Sequence, residues 1–108
     1  NVAHPKLLAA VALMEEHQEE PLSCAELAKQ IGLSTRQLER LFRKYMNSAP
    51  TRYYLELRLK RARFLLKQTS FPVLSIALAT GFISASHFSK CYREYFTRTP
   101  SDERNAAR

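Results

Sequence analysis

Glycine is scarce, with 2 in 108 residues. A β-rich chain needs glycine in its turns, so this shortage favours helices. Cysteine is as rare, and Cys24 and Cys91 lie 67 positions apart. There is no CxxC pair or Cys/His cluster, and His4, His17 and His87 lack the spacing of helical or finger ligands. No metal site is expected. Two reduced thiols suit a cytoplasmic protein. Asp102 is the sole aspartate and sits near a frayed end, which leaves little material for a carboxylate pair or a Ser-His-Asp arrangement. No glycine-rich phosphate loop occurs. Neither catalytic residues nor a cofactor are expected. The longest purely apolar run, Leu7–Met14, falls far short of the ~20 residues that cross a bilayer, so no membrane partner is expected. No signal peptide is expected before that run. The first residue is Asn rather than Met, so a piece cut from a longer protein, or a chain trimmed of a tag, is expected.

What is present is basic and foldable. Hydrophobic residues make up 45% of the chain and aromatics 10%, which excludes disorder as the main state. Surface scaling gives roughly 6,000 Å² exposed when folded against about 18,000 Å² unfolded, enough for a modest core but not for a deep enclosed cavity. The net charge is +7, from 17 Lys+Arg against 10 Asp+Glu. It is lopsided: residues 1–26 carry −4 and residues 27–108 carry +11. A field of that kind suits a polyanion-binding surface, although a merely solvated basic face has the same composition.

Hydrophobic spacing reads as helices throughout. Leu7, Leu8, Val11 and Met14 recur at three- and four-residue steps from Pro5 to about Glu19, with Pro5 in the first turn. Ser23 and Glu26 form a capping box that opens a short helix with Leu27, Ala28 and Ile31 on one face, and Gly32 stops it. Ser34 and Gln37 form a second box. The helix they open is expected to bury Leu38, Leu41, Phe42 and Tyr45, with Arg36, Glu39, Arg40 and Arg43 on the opposite face. Short helix, glycine turn and capped second helix make a helix-turn-helix, a motif also found in plain helical bundles. A longer helix runs from Pro50 to about Lys67, with Leu55, Leu59, Ala62 and Leu66 as its stripe, flanked by Tyr54 and Leu65. Arg52, Lys60, Arg63 and Lys67 are expected on its outer faces, Arg52 within reach of phosphate.

The motif then repeats. Ile76, Ala77 and Thr80 stand where Leu27, Ala28 and Ile31 do, at an offset of 49, and Gly81 matches Gly32. After one extra residue the offset is 50, pairing Ser84 with Ser34, Phe88 with Leu38, Lys90 with Arg40, Tyr92 with Phe42 and Arg93 with Arg43. Pro72 is expected in the first helical position, with Ser70 or Phe71 as cap. Cys91 matches Leu41 and is expected to face the core. Repeats of this length imply duplicated supersecondary structure. The expected fold is all-α: two helix-turn-helix subdomains, residues 1–49 and 70–108, joined by a linker helix over 50–69, about seven helices in all.

These residues resemble the DNA-binding domain of the AraC/XylS family of bacterial transcription regulators. The resemblance rests on Ala25–Ala28 with Gly32-Leu33-Ser34, Leu38–Arg43, Arg58-Leu59 with Ala62 and Leu65-Leu66, then Ile76-Ala77, Gly81-Phe82, Ser84, Ser86–Lys90 and Tyr92-Arg93. It covers Pro5 to Arg104. The second half is also similar to members that carry a glutamine-amidotransferase-like sensing domain upstream. The resemblance implies double-stranded DNA as partner, read by two recognition helices in successive major grooves. Carried over by position, Thr35, Arg36, Glu39 and Arg40 would face bases in the first groove, and Ala85, Ser86, His87, Ser89 and Lys90 in the second. Ser34, Arg43, Lys44, Arg52, Ser84 and Arg93 would meet phosphate. RNA polymerase and an upstream effector domain are further partners it implies. Family members usually place glycine after each recognition helix, whereas Asn47 and Thr97 stand there, so the second helix is expected to end differently and to leave the place of Arg98 open. The readings left standing beside sequence-specific binding are an architectural DNA binder, a helical protein-interaction adaptor and, more remotely, a fragment of a DNA-repair alkyltransferase.

Overall fold

Helix starts follow the polar residues that the sequence supplies. In the computed structural model, which describes residues 4–107, these residues form seven helices and no strand. They are α1 (Pro5–Glu16), α2 (Cys24–Gln30), α3 (Thr35–Met46), α4 (Pro50–Gln68), α5 (Val73–Ala79), α6 (Ala85–Phe96) and α7 (Pro100–Ala106). The all-α expectation of about seven helices holds. Ser23 and Ser34 each close a complete capping box, with Glu26 and Gln37 as the reciprocal partners. Ser84 and Thr99 accept from the backbone N–H of His87 and Asp102, both at 3.1 Å. α5 departs from expectation: Pro72 is its N-cap rather than its first helical residue, and no side chain caps it.

Two compact units divide between Leu55 and Glu56, inside α4. In the first, Leu7, Ala10 and Met14 of α1, Leu27 and Ala28 of α2 and Leu38 and Phe42 of α3 are buried together with Tyr54. The Phe42 ring lies 5.6 Å from Tyr53. The Tyr54 hydroxyl donates to the His17 carbonyl and accepts from the Leu22 N–H at 3.1 Å. In the second unit Leu59, Ala62 and Leu66 are buried with Ile76, Ala77, Thr80, Phe82, Phe88 and Tyr92. Phe82, Phe88 and Tyr92 form a chain of tilted and edge-on rings with centroids 5.1 and 5.6 Å apart.

The duplication extends beyond the helix-turn-helix. Lys6, Leu7, Ala10 and Met14 reappear as Arg58, Leu59, Ala62 and Leu66 at an offset of 52. Tyr53 and Tyr54 reappear as Glu103 and Arg104 at an offset of 50. The equivalence is also one of bonding. Tyr54 ties down the end of α1 at His17, and Arg104 donates to the Leu66 and Thr69 carbonyls at the end of α4, both at 3.2 Å. Each unit is therefore helix, helix-turn-helix, helix. α4 closes the first unit with its N-terminal part and opens the second with the remainder.

Several expectations need correction. α1 stops at Glu16, before Glu19. Leu8 is 51% exposed, and Ala10 takes the buried place in the stripe. Tyr45 is exposed because its ring turns towards His4, 5.8 Å away, with the Lys44 ammonium 5.3 Å from its centroid. Leu41 is half-buried; it lines an open hollow with His4, Leu33, Gln37, Arg40 and Lys44. On α4 Tyr54 is buried where Leu55 is only half-buried. Cys91 is half-buried rather than a core residue. Asp102 lies in the capped first turn of α7, the last helix. Arg63 and Lys67 do not merely solvate an outer face, since both reach Glu103. Thr97 adopts the same left-handed backbone as Asn47, with φ of 62° against 52°. α6 thus ends as α3 does, and Arg98 is fixed 3.1 Å from the Glu103 carboxylate.

Candidate nucleic-acid interface

Both turns are built by the same bonds. In the first, the Gly32 N–H reaches the Lys29 carbonyl and the Leu33 N–H the Ala28 carbonyl; in the second, Gly81 and Phe82 do the same to Leu78 and Ala77. This is the Schellman pattern, and it needs a positive φ, here 74° and 86°. The two bond patterns pair Leu33 with Phe82, so the extra residue of the second turn is Ile83, which is 85% exposed. A cation from the preceding helix caps each turn. Lys6 Nζ donates to the Ile31 carbonyl at 2.6 Å. Arg58 donates to the Gly81 and Thr80 carbonyls at 3.0 and 3.3 Å, and its guanidinium lies 4.8 Å from the Phe82 centroid. Each charge satisfies carbonyls at the negative end of a helix dipole. The helix-turn-helix pattern alone does not single out these two residues. The offset of 52 between α1 and α4 is the signal that finds them.

α3 is divided lengthwise. Leu38 and Phe42 are buried, while Thr35, Arg36, Glu39, Arg40, Arg43 and Lys44 are all exposed. Ser34, also exposed, holds the N-terminal turn through Gln37. The expected first-groove residues therefore sit on one accessible helix surface bearing four cations and one carboxylate. Arg52 is exposed on α4. On α6 the pattern is weaker. Ser86, His87, Lys90 and Arg93 are exposed, Ser84, Ala85 and Ser89 are half-buried, and Phe88 and Tyr92 face the core. The His87 ring leans on Phe82 with centroids 5.8 Å apart, and its Nε2 lies 3.7 Å from Cys91 Sγ. The inserted Ile83, just before the Ser84 cap, escaped the reading by position because it has no counterpart in the first unit.

The helix ends are held by a buried charge cluster. Glu103 is 1% exposed and accepts from the Tyr92 hydroxyl at 2.8 Å. Arg63 and Arg98 stand 3.1 Å from its oxygens and Lys67 3.8 Å. Burial opposes the carboxylate form, but the Tyr92 hydrogen bond and the three cations outweigh it and hold Glu103 below the usual carboxylate range. Burial and the same carboxylate push the Tyr92 phenol up. Burial, and then the nearby Glu39, raise the Cys24 thiol, which favours its neutral, unreactive form. No group of three His, Cys, Asp or Glu side chains able to hold a metal occurs among the described residues.

A helix-turn-helix domain family model matches residues 27–106. The chain is 59% identical over 100 residues to the HTH-type transcriptional regulator GbdR of Pseudomonas aeruginosa, a match covering 93% of this chain and 27% of that protein. A transcriptional regulator from Chromobacterium violaceum, described as having an AraC-type DNA-binding domain, superposes with a TM-score of 0.91 at 54% identity, over 95% of this chain and 92% of that one. The chain belongs to the AraC-type helix-turn-helix family. A third relative, the DNA-binding domain of AdpA solved in complex with a target DNA, matches with a TM-score of 0.89 at 28% identity, over 95% of this chain and 93% of that one. The AraC-type domain here spans about a third or less of the length of the first curated regulators it matches. No helix among its described residues is long and apolar enough to cross a membrane.

Proposed function

We propose that this AraC-type domain binds duplex DNA sequence-specifically, with α3 and α6 in successive major grooves. The observation that carries the reading is the division of α3, with Leu38 and Phe42 inward and Arg36, Arg40, Arg43 and Lys44 outward on one capped helix. Arg36 and Arg40 have the donor fork for guanine O6 and N7, and Glu39 can accept from cytosine N4. Thr35 completes the first reading surface; Ala85, Ser86, His87, Ser89 and Lys90 form the second. Ile83 adds an apolar contact suited to a thymine methyl group. Ser34, Arg43, Lys44, Arg52, Ser84 and Arg93 contact phosphate and set the register. With fewer cations, α6 supplies less of the affinity and is the more permissive reader.

Functionally we assign the first lobe to residues 1–49, the linker to 50–69 and the second lobe to 70–108, of which residues 1–3 and 108 lie outside those described. The AdpA complex supports DNA as the ligand of this fold. In the cell we assign the domain to a cytoplasmic regulator with an amidotransferase-like sensing domain upstream and RNA polymerase as a contact, and to no catalytic step. The test is selection of bound sequences from a random duplex pool, followed by salt titration of the winner and of random duplex. A shared motif should emerge, and binding should fall with a log–log slope of about −0.9 per phosphate neutralised. Affinity that is flat with salt, or a pool that yields no motif, would refute the proposal.

A further inference from the structure

The duplication supplies an internal control for surface composition. At an offset of 49, the outward positions of α2 (Ala25, Glu26, Lys29 and Gln30) correspond to Leu74, Ser75, Leu78 and Ala79 of α5. The first set is what a helix facing water carries. The second is apolar or uncharged, and α5 has no charged residue at all. Leu74 is 52% exposed and Leu78 48%, one turn apart on the same face, and Phe71 just before the helix is 56% exposed. The same fold in the same chain does without this strip once, so the fold itself does not demand it. Exposed apolar strips of this kind mark interaction sites.

We infer that the outer face of α5, Phe71 with Leu74 and Leu78, docks an acidic amphipathic helix of another protein. Two observations select this occupant. Residues 56–108 carry ten basic and four acidic side chains, a net +6, so this face repels the same face of a second copy and attracts an acidic segment. Three half-exposed side chains offer on the order of a few hundred Å², well short of the roughly 800 Å² per partner of a standard interface. That area fits one helix presenting apolar residues at i, i+3, i+4 and i+7. The inference does not depend on which DNA the domain reads.

The test uses a fluorescein-labelled 18-residue peptide with Leu at i, i+3, i+4 and i+7, four Glu on the opposite face and Ala elsewhere, its helicity checked by circular dichroism. Its controls are a peptide of the same composition with the leucine spacing scrambled, and the original with Lys in place of Glu. The chain is compared with L74A/L78K, which installs the residues of the equivalent face of α2 and so is expected to fold, as circular dichroism would show. The Glu peptide should bind the parent saturably, and the variant at least tenfold more weakly even though it gains a positive charge, with duplex DNA affinity unchanged. Absent binding, equal binding to the variant, or equal binding of either control peptide would overturn the inference. A loss of DNA affinity in the variant would reassign the face to DNA. Dimerisation in sedimentation that the variant abolishes would assign it to a second copy.

Discussion

Replacing Glu103 by Gln tests whether the charge cluster stabilises the second unit. The carboxylate is 1% exposed, whereas the side chains of Arg63, Lys67 and Arg98 are 41%, 38% and 42% exposed. At about 3–4 Å and an effective dielectric near 20, each pair has roughly 4–5 kcal/mol of gross attraction. Solvent screening and side-chain entropy reduce such half-exposed pairs to no more than about 1 kcal/mol each. Taking the carboxylate out of water opposes them by several kcal/mol. The bond from the Tyr92 hydroxyl is the dry one, and a hydrogen bond to a charged group contributes about 1.5–3 kcal/mol. Glutamine keeps an acceptor for Tyr92 and relieves the desolvation, so Glu103→Gln should cost about 1–2 kcal/mol at pH 7, which is roughly 4–15 °C in Tm for a domain of this size. The pH dependence identifies the cause. Because the folded carboxylate titrates below its unfolded value, its stabilisation is present above about pH 4.3 and is lost as pH falls through the folded value. Urea denaturation of parent and variant from pH 7 down to pH 3 should show the gap closing below about pH 4.3. A gap of the same size at pH 3, or equal stability at pH 7, would refute the reasoning.

Thr97 has a left-handed backbone that β-branched residues resist. Thr97→Gly should therefore raise stability by about 1 kcal/mol, while Asn47→Gly stays within about 0.5 kcal/mol, since Asn tolerates that region; thermal denaturation reads both. Arg40→Ala should cost about 1–3 kcal/mol on the selected duplex and relax one base step, while Arg43→Ala should weaken all duplexes alike and lower the salt slope by about 1. Equal losses of Arg40→Ala on specific and random DNA would remove it from the reading set. Lys6→Met and Arg58→Met each remove a turn cap worth about 1–2 kcal/mol. Amide exchange should show lost protection in α2 and α3 for the first and in α5 and α6 for the second. Uniform loss across both units would contradict the local role of these cations.

Much of this fold could be read because helix ends and turns are local chemistry. Ser23 with Glu26, Ser34 with Gln37, and the two glycines fix four helix boundaries from residues within a few positions of one another. The amphipathic division of α3 was equally plain, since its charged and apolar residues separate at a 3.6-residue period. Misreadings came where a tertiary partner decides. Tyr45 belongs to the apolar period of α3 but sits at its end, where His4 offers a ring, so it faces outward. By its own propensity Thr97 would end α6 in another way. The arrangement after α6, with Thr97 N–H on the Arg93 carbonyl, Pro100 buried and Arg98 on Glu103, holds it in a conformation that its own propensity disfavours. Arg63 and Lys67 read as solvated because their partner, Glu103, lies more than thirty-five residues further on.

The full extent of the repeat is hidden in the sequence for a physical reason. Offsets of 49 and 50 relate the two helix-turn-helix segments, but α1 and α4 are related at 52, because the connections within the two copies differ in length. α4 is also continuous across the division between the units, so its period shows no break at Leu55. A helix that closes one copy and opens the next reads as a single connector unless its two parts are aligned separately, Pro50–Tyr54 with Pro100–Arg104 and Arg58–Leu66 with Lys6–Met14. With both alignments in place, residues of unlike chemistry stand in one role. Lys6 and Arg58 each neutralise the end of a first helix, and Tyr54 and Arg104 each bind the end of the helix before it. At the remaining pair, Tyr53 packs against Phe42, whereas Glu103 accepts from Tyr92. The ring contact of the first copy has become a buried charge in the second. A carboxylate there requires cations around it, and the second unit has them in Arg63, Lys67 and Arg98, three basic residues thereby committed to structure.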